Sequence, residues 1–200
     1  MQTHWALVNG DGVNNWYDSL LAPEGEQQAR DLAGFYDALF TRDGAPYPQT
    51  VYTSPLSRCL QTTDLAYRPI LPPPFRAVIK ENLRERWTGH TCDSRRTRTQ
   101  LVAHWSGKGY VFEDGFKEED PLGGEEATAR QLRYEQDEDH MRRKQAALDD
   151  IWEEDSGEFL LVVCHSYAIR TIQMLVGSAV FRVKEGSSMA LLIRGEKVYR

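Results

Sequence analysis

The spacing of apolar and polar positions changes several times along the chain, and each change marks an element. His4–Val8 is a short apolar run that reads as a buried strand. Pro23 then stands where the first turn of a helix tolerates proline. After it Ala29, Leu32, Ala33, Tyr36, Leu39 and Phe40 recur at helical spacing. TRDGAPYP is a loop. QTVYTS is a short β-branched strand, and Pro55 precedes an amphipathic helix in SPLSRCLQTTDLAY. The proline-rich RPILPPPFRAVIK leads into a strand near Ala77–Ile79. From Glu81 to Glu126 the pattern breaks into polar and then acidic, glycine-containing sequence. This predicts a lid-like insertion at 81–126 that covers something and does not join the core. Glu126–Glu154 reads as one long charged helix with Leu132, Met141, Leu148, Ile151 and Trp152 inward and its charge run solvated. FLLVVCHS is a continuous apolar run, as expected of a central strand buried on both faces. YAIRTIQMLVG is a helix stopped by Gly177, and SSMALLIR reads as a last strand.

Strands alternating with helices predict an α/β fold: one domain over residues 1–200, a three-layer α/β/α sandwich on a mostly parallel central sheet. Ligands in such sheets bind outside the carboxyl ends of the strands. Three loops leave strand ends here, NGDGVNN, SPLSRCLQT and CHSYAIR, and they are expected to converge.

A net charge of −6 without a basic face argues against nucleic acid as a partner. MQTHWALVNG lacks the basic and apolar regions of a signal peptide, and no apolar run approaches a membrane span. Cys59, Cys92 and Cys164 are odd in number and have no CxxC partner. They are expected to be reduced thiols in a cytoplasmic protein. A small-molecule substrate is the expected partner, and the sequence leaves a homodimer open.

Several residues could carry chemistry. Arg58 opens a helix, where a guanidinium and free backbone N–H groups together hold an anion. His165 directly follows a buried strand. Leu83-Arg84-Glu85 sets an arginine beside a carboxylate. Asp11, in a glycine-punctuated loop, is a candidate substrate contact and a second possible carboxylate, although a turn-forming role is the simpler one. The histidines at 90, 104 and 140 show no ligand spacing, and no metal or organic cofactor is implied.

In order along the chain, LAPEGEQQA, SPLSRCLQT, ENLRERWTGHTCDSRR and CHSYAIR resemble motifs of the histidine phosphatase superfamily, the phosphoglycerate-mutase-like proteins, and in particular its fungal members. The resemblance implies the same sandwich, with Arg58 on the ligand's oxygen, Glu85 as proton donor and His165 as base or acid. It also implies Arg84, Asn15 and Tyr167 beside the ligand, Tyr167 standing where the family has glycine. The family's first motif, strand-R-H-G, is absent. Without gaps Val8 falls at its arginine and Asn9 at its histidine; a shift of one residue puts Asn9 at the arginine. Neither register offers a histidine.

An asparagine cannot form a phosphohistidine, and losing the arginine removes a bidentate phosphate partner. The general roles survive: Asn9 and the backbone of NGDG can still orient a carbonyl or hydroxyl. Three readings follow. One is a cofactor-independent acid–base enzyme, a lyase or dehydratase, cyclase or isomerase. It would act on a non-phosphorylated small molecule such as a fungal biosynthetic intermediate. The second is a catalytically dead pseudophosphatase that binds a metabolite or a protein. The third is a weak phosphatase with another nucleophile.

Overall fold

The computed structural model describes residues 10–123 and 134–195. Within them β1 (Thr50–Thr53), β2 (Ala77–Ile79), β3 (Tyr110–Phe112) and β4 (Leu160–Val163) form a parallel sheet in the order β3-β2-β1-β4. Five helices surround it: α1 (Pro23–Thr41), α2 (Ser57–Ala66), α3 (Arg98–Trp105), α4 (Asp137–Glu154) and α5 (Ser166–Leu175).

The alternation of side chains along each strand sorts the helices into two layers. On one face Ile79 of β2 packs with Leu60 of α2 and with Leu101 and Trp105 of α3, and Val163 of β4 packs with Ala29 of α1 and Cys59 of α2. On the other, Tyr52 and Val78 meet Ala147 and Ile151 of α4. The result is the predicted α/β/α sandwich. Helix ends follow local chemistry. Thr97 and Gln100 close a capping box on α3, and Gly177, at φ 68°, follows the last turn of α5. Gly109, at φ 88°, leads into β3, where an added Cβ would meet the Phe75 carbonyl oxygen at 2.2 Å.

Several expectations are corrected. The stretch 81–126 is not wholly outside the core. Its 98–116 portion builds α3, the outer strand β3 and buried Leu101, Trp105 and Phe116. Elements of 8 and 3 residues are too short to show a period against a polar background. What lets that background fold inward is ion pairing. Arg84 and Arg95 are both fully buried and share Glu81, Arg84 also pairs with Asp120, and Arg95 donates to the carbonyls of Lys117, Glu118 and Glu119.

Helix α4 begins at Asp137, and residues 124–133 before it lie outside the described residues. Its inward stripe is His140, Lys144, Ala147 and Ile151, so the charge run is not all solvated. Trp152, expected inside, is exposed. The expected inward Leu132 and the expected strand His4–Val8 also lie outside the described residues. Among those residues β4 is an outer strand, and its alternate side chains Leu160 and Val162 are exposed, unlike a strand covered on both faces. SSMALLIR forms no strand; it finds no ladder partner among the described residues and is largely exposed. No described helix is long and apolar enough to cross a membrane.

Candidate active site

The strand ends do converge. His165 closes β4, Ser54 follows β1, Arg58 lies in the first turn of α2, and Glu85 follows the 3-10 turn Glu81–Leu83 beyond β2. The imidazole of His165 is 7 % exposed. Arg58 Nε donates to its Nδ1 at 3.3 Å, and its Nε2 is 2.8 Å from Ser54 Oγ. Since Nδ1 accepts, Nε2 carries the proton and donates to the serine. Cys59 Sγ also lies 3.4 Å from Nε2. Burial first, then the neighbouring Arg58 charge, hold this imidazole well below its ordinary pKa, so it is neutral.

Arg58 reaches across the site. Besides His165 it donates to the Cys92 carbonyl at 2.6 Å and to Asp93 at 3.4 Å. Asp93 is itself held by the Thr88 hydroxyl and amide. Three of the five guanidinium N–H groups are thus committed, while the side chain keeps partial exposure for a ligand oxygen.

The Glu85 carboxylate accepts from the amides of Arg86 at 2.9 Å and Tyr167 at 3.2 Å. The second amide lies in the first turn of α5, so the protein's own carboxylate sits at that positive helix end. Burial raises the Glu85 pKa against these two hydrogen bonds. Helix α2 is treated likewise. Fully buried Asp18 accepts from Ser57 N at 2.8 Å and Ser57 Oγ at 2.6 Å, and burial again raises its pKa.

The other expected residues divide. Tyr167 lies beside Glu85, and its half-buried ring packs on buried His140 with centroids 5.5 Å apart. Arg86 and Arg170 stack on that ring at 5.2 and 5.7 Å, and its hydroxyl donates to Asp137 at 3.0 Å. Arg84 is not a ligand group; it is fully buried, and its two terminal guanidinium nitrogens donate to Glu81, Asp120 and the Asp93 carbonyl. Asp11 is exposed and accepts from the amides of Val13 and Asn14, the simpler turn-forming role, so its place among the ligand contacts is corrected. Asn15 is exposed too, and its carbonyl ties that loop to Thr91. Asn9 lies outside the described residues.

The sequence reading did not single out Ser54, Cys59, Asp93 or Lys144. For Asp93 the signal was present in the Cys92-Asp93-Ser94-Arg95 run. Lys144 is fully buried and donates to the Asn82 carbonyl at 2.6 Å; only its helical phase with Ala147 and Ile151 could have found it. Among the described residues no group of three or more His, Cys, Asp or Glu side chains is placed to hold a metal ion.

Comparison with known proteins is consistent over nearly the whole chain. Residues 2–180 match the model of the histidine phosphatase superfamily (branch 1). A "Probable phosphoglycerate mutase" of Arthroderma benhamiae is 34 % identical over 196 residues, covering 96 % of this chain and 56 % of that protein. A "Phosphomutase-like protein 3" of Candida albicans is 29 % identical over 192 residues, covering 95 % and 56 %. The chain therefore spans little more than half the length of these two curated relatives. The crystal structure of phosphoglycerate mutase from Bacillus anthracis superposes with a TM-score of 0.51 at 19 % identity, over 80 % of this chain and 70 % of that one. At that identity it supports the fold alone.

Proposed function

The chain belongs to the histidine phosphatase superfamily, and we propose that within it this member runs acid–base chemistry on a non-phosphorylated small molecule without forming a phosphohistidine. The observation that carries this reading is the pairing of opposite shifts at one set of strand ends. Burial makes Glu85 hold its proton more tightly and His165 hold its proton less tightly, so a carboxyl acid and a neutral imidazole share a site. Arg58 offers two uncommitted N–H groups to a carbonyl or carboxylate oxygen. The amide at the start of α5 and the amide of Ser57 at the start of α2 already hold carboxylates, which disfavours a phosphate dianion there. Proton removal α to a carbonyl by His165, with proton delivery by Glu85, describes a dehydratase, a cyclase or an isomerase. A fungal biosynthetic intermediate fits the affinity of the relatives.

A second reading, a pseudophosphatase that binds without turnover, is favoured by one observation: both ring nitrogens of His165 already have partners. The relatives' names suggest a third, phosphate transfer, which would need a nucleophile other than a histidine at Asn9.

One experiment separates them. The protein and His165→Ala are incubated in heavy water with a panel of phosphomonoesters and a panel of β-hydroxycarbonyl compounds. Phosphate release and deuterium incorporation are read by NMR. Deuterium uptake or water loss by the wild type alone, without phosphate, is the expected result. Phosphate release lost in the variant overturns the proposal. Saturable ligand binding with neither reaction points to the pseudophosphatase.

A further inference from the structure

A base needs a bare lone pair, and the imidazole of His165 shows none. Ser54 Oγ lies 2.8 Å from Nε2, Arg58 Nε donates to Nδ1 at 3.3 Å, and Cys59 Sγ rests 3.4 Å from Nε2 and 3.7 Å from Nδ1. The three partners are not equally fixed. Ser54 is 0 % exposed and Cys59 4 %, so they clamp the ring from the interior. The Arg58 side chain is 25 % exposed. Its contact with the Cys92 carbonyl is short, at 2.6 Å. Those with Nδ1 and Asp93, at 3.3 and 3.4 Å, lie at the long end of hydrogen bonding. A guanidinium is a rigid plane, so a small turn about the Cys92 contact carries Nε away from Nδ1. The nitrogen that can be laid bare is therefore Nδ1, while Nε2 keeps its proton on the serine.

We propose that Arg58 is a displaceable cap on the Nδ1 lone pair of His165, and that the substrate is an oxo acid whose carboxylate draws the cap away. This rests on the acid–base reading and names its substrate class. Two requirements meet in that class. The cap leaves for an acceptor stronger than a neutral imidazole, and hydrogen bonds to an ionised carboxylate are about twice as strong as neutral ones. The acid–base reading also needs a C–H bond beside a carbonyl. A carboxylate alone activates it poorly, because its enolate would carry two negative charges, and a neighbouring ketone removes that difficulty. Arg58 has one N–H to spare on each terminal nitrogen, enough for a carboxylate oxygen and a ketone oxygen. The C–H bond then breaks: its proton goes to Nδ1 and its electron pair into the enolate, whose oxygen faces the guanidinium. With a hydroxyl β to the ketone, Glu85 gives its proton to that oxygen. The enolate pair forms the new C=C bond, and the C–O bond breaks with its electrons on the departing water. An imidazolium and the Glu85 carboxylate are left, and one proton returned through solvent restores both. The base thus appears with the substrate.

The test is a titration followed by nitrogen NMR of histidine-labelled protein, at one pH well above the ordinary imidazole value. The probes are pyruvate and 2-oxopentanoate, each beside its amide, with inorganic phosphate as a separate arm. Before addition, Nε2 is expected to carry the proton and Nδ1 to show the upfield shift of a hydrogen-bonded lone pair. The oxo acids should move Nδ1 downfield, towards its position in ligand-free Arg58→Met, and leave Nε2 in place. The amides and phosphate should move neither, and the oxo acids should move neither in Arg58→Met. A wild-type Nδ1 unmoved by both oxo acids overturns the proposal, and so does an equal shift from the amides or from phosphate. Those outcomes hold even if the variant fails to fold. Exchange of the C3 hydrogens is followed in parallel in heavy water. A moved Nδ1 without exchange sinks the acid–base reading and keeps the cap, whereas exchange with Nδ1 unmoved sinks the cap and keeps the reading.

Discussion

A neutral imidazole buried among Arg58, Ser54 and Cys59 ties stability to pH. The unfolded chain protonates His165 near its ordinary value of 6.5, while the folded chain refuses that proton well below it. The unfolded state therefore binds more protons on the acid side, and stability is fully present above 6.5 and declines as pH falls below it. His140 is lowered in the same direction and adds to the decline. Urea midpoints measured from pH 7 down to pH 5 should fall less steeply for His165→Asn than for the wild type. Glu85 works with the opposite sign. Its raised carboxyl favours folding most when protonated, below the ordinary value of 4.5, and that contribution is lost as pH rises through the folded value. Glu85→Gln should accordingly raise the melting temperature at pH 7, and the gain should vanish near pH 4. An acid kept at a stability cost is what a working site would show.

The elements are held by charges as much as by apolar packing. Arg84 is fully buried between Glu81 and Asp120, so Arg84→Met should cost about 3–5 kcal/mol in urea unfolding by leaving buried Asp120 without its cation, while Glu81 keeps Arg95. Were Arg84 a ligand group, the loss would fall on binding and not on stability. At the start of α2, Asp18→Ala should cost about 1–2 kcal/mol by stripping Ser57 of its acceptor. These two residues show what sequence could and could not reveal. The helices after Pro23 and Pro55 and the strands at Thr50–Thr53 and Ala77–Ile79 announce themselves by period and punctuation. Arg58 and His165 were legible because they follow strand ends, and Glu85 only because its segment resembles a family motif. Arg84 was misplaced because adjacency to Glu85 in sequence says nothing of side, and successive residues leave the backbone in different directions. Lys144 was hidden in a charge run whose average reads as solvent-facing. Asp18, in a left-handed conformation at φ 43° within a turn, carries no periodic signal at all.

At the scale of the molecule, every described ladder is parallel and joins strands distant in sequence. Such pairings must close long loops before they return any energy, so folding should be slow for a chain of this size. Strand β1, bonded on both sides, should hold the slowest-exchanging amides in hydrogen exchange, ahead of β3 and β4.

The thiol of Cys59 connects that slow assembly to something a chemist can time. It lies on α2, 106 residues before the histidine it touches, and it is covered by Val163, the Cys164 carbonyl and the imidazole of His165. In the folded protein burial keeps it a thiol, inert towards alkylating reagents. In any state where β4 has not yet docked, or has come away, the same sulfur is an ordinary reactive cysteine. The rate at which Cys59 takes up a label is therefore a clock on the completion of the site, read at the sulfur that the last strand closes over.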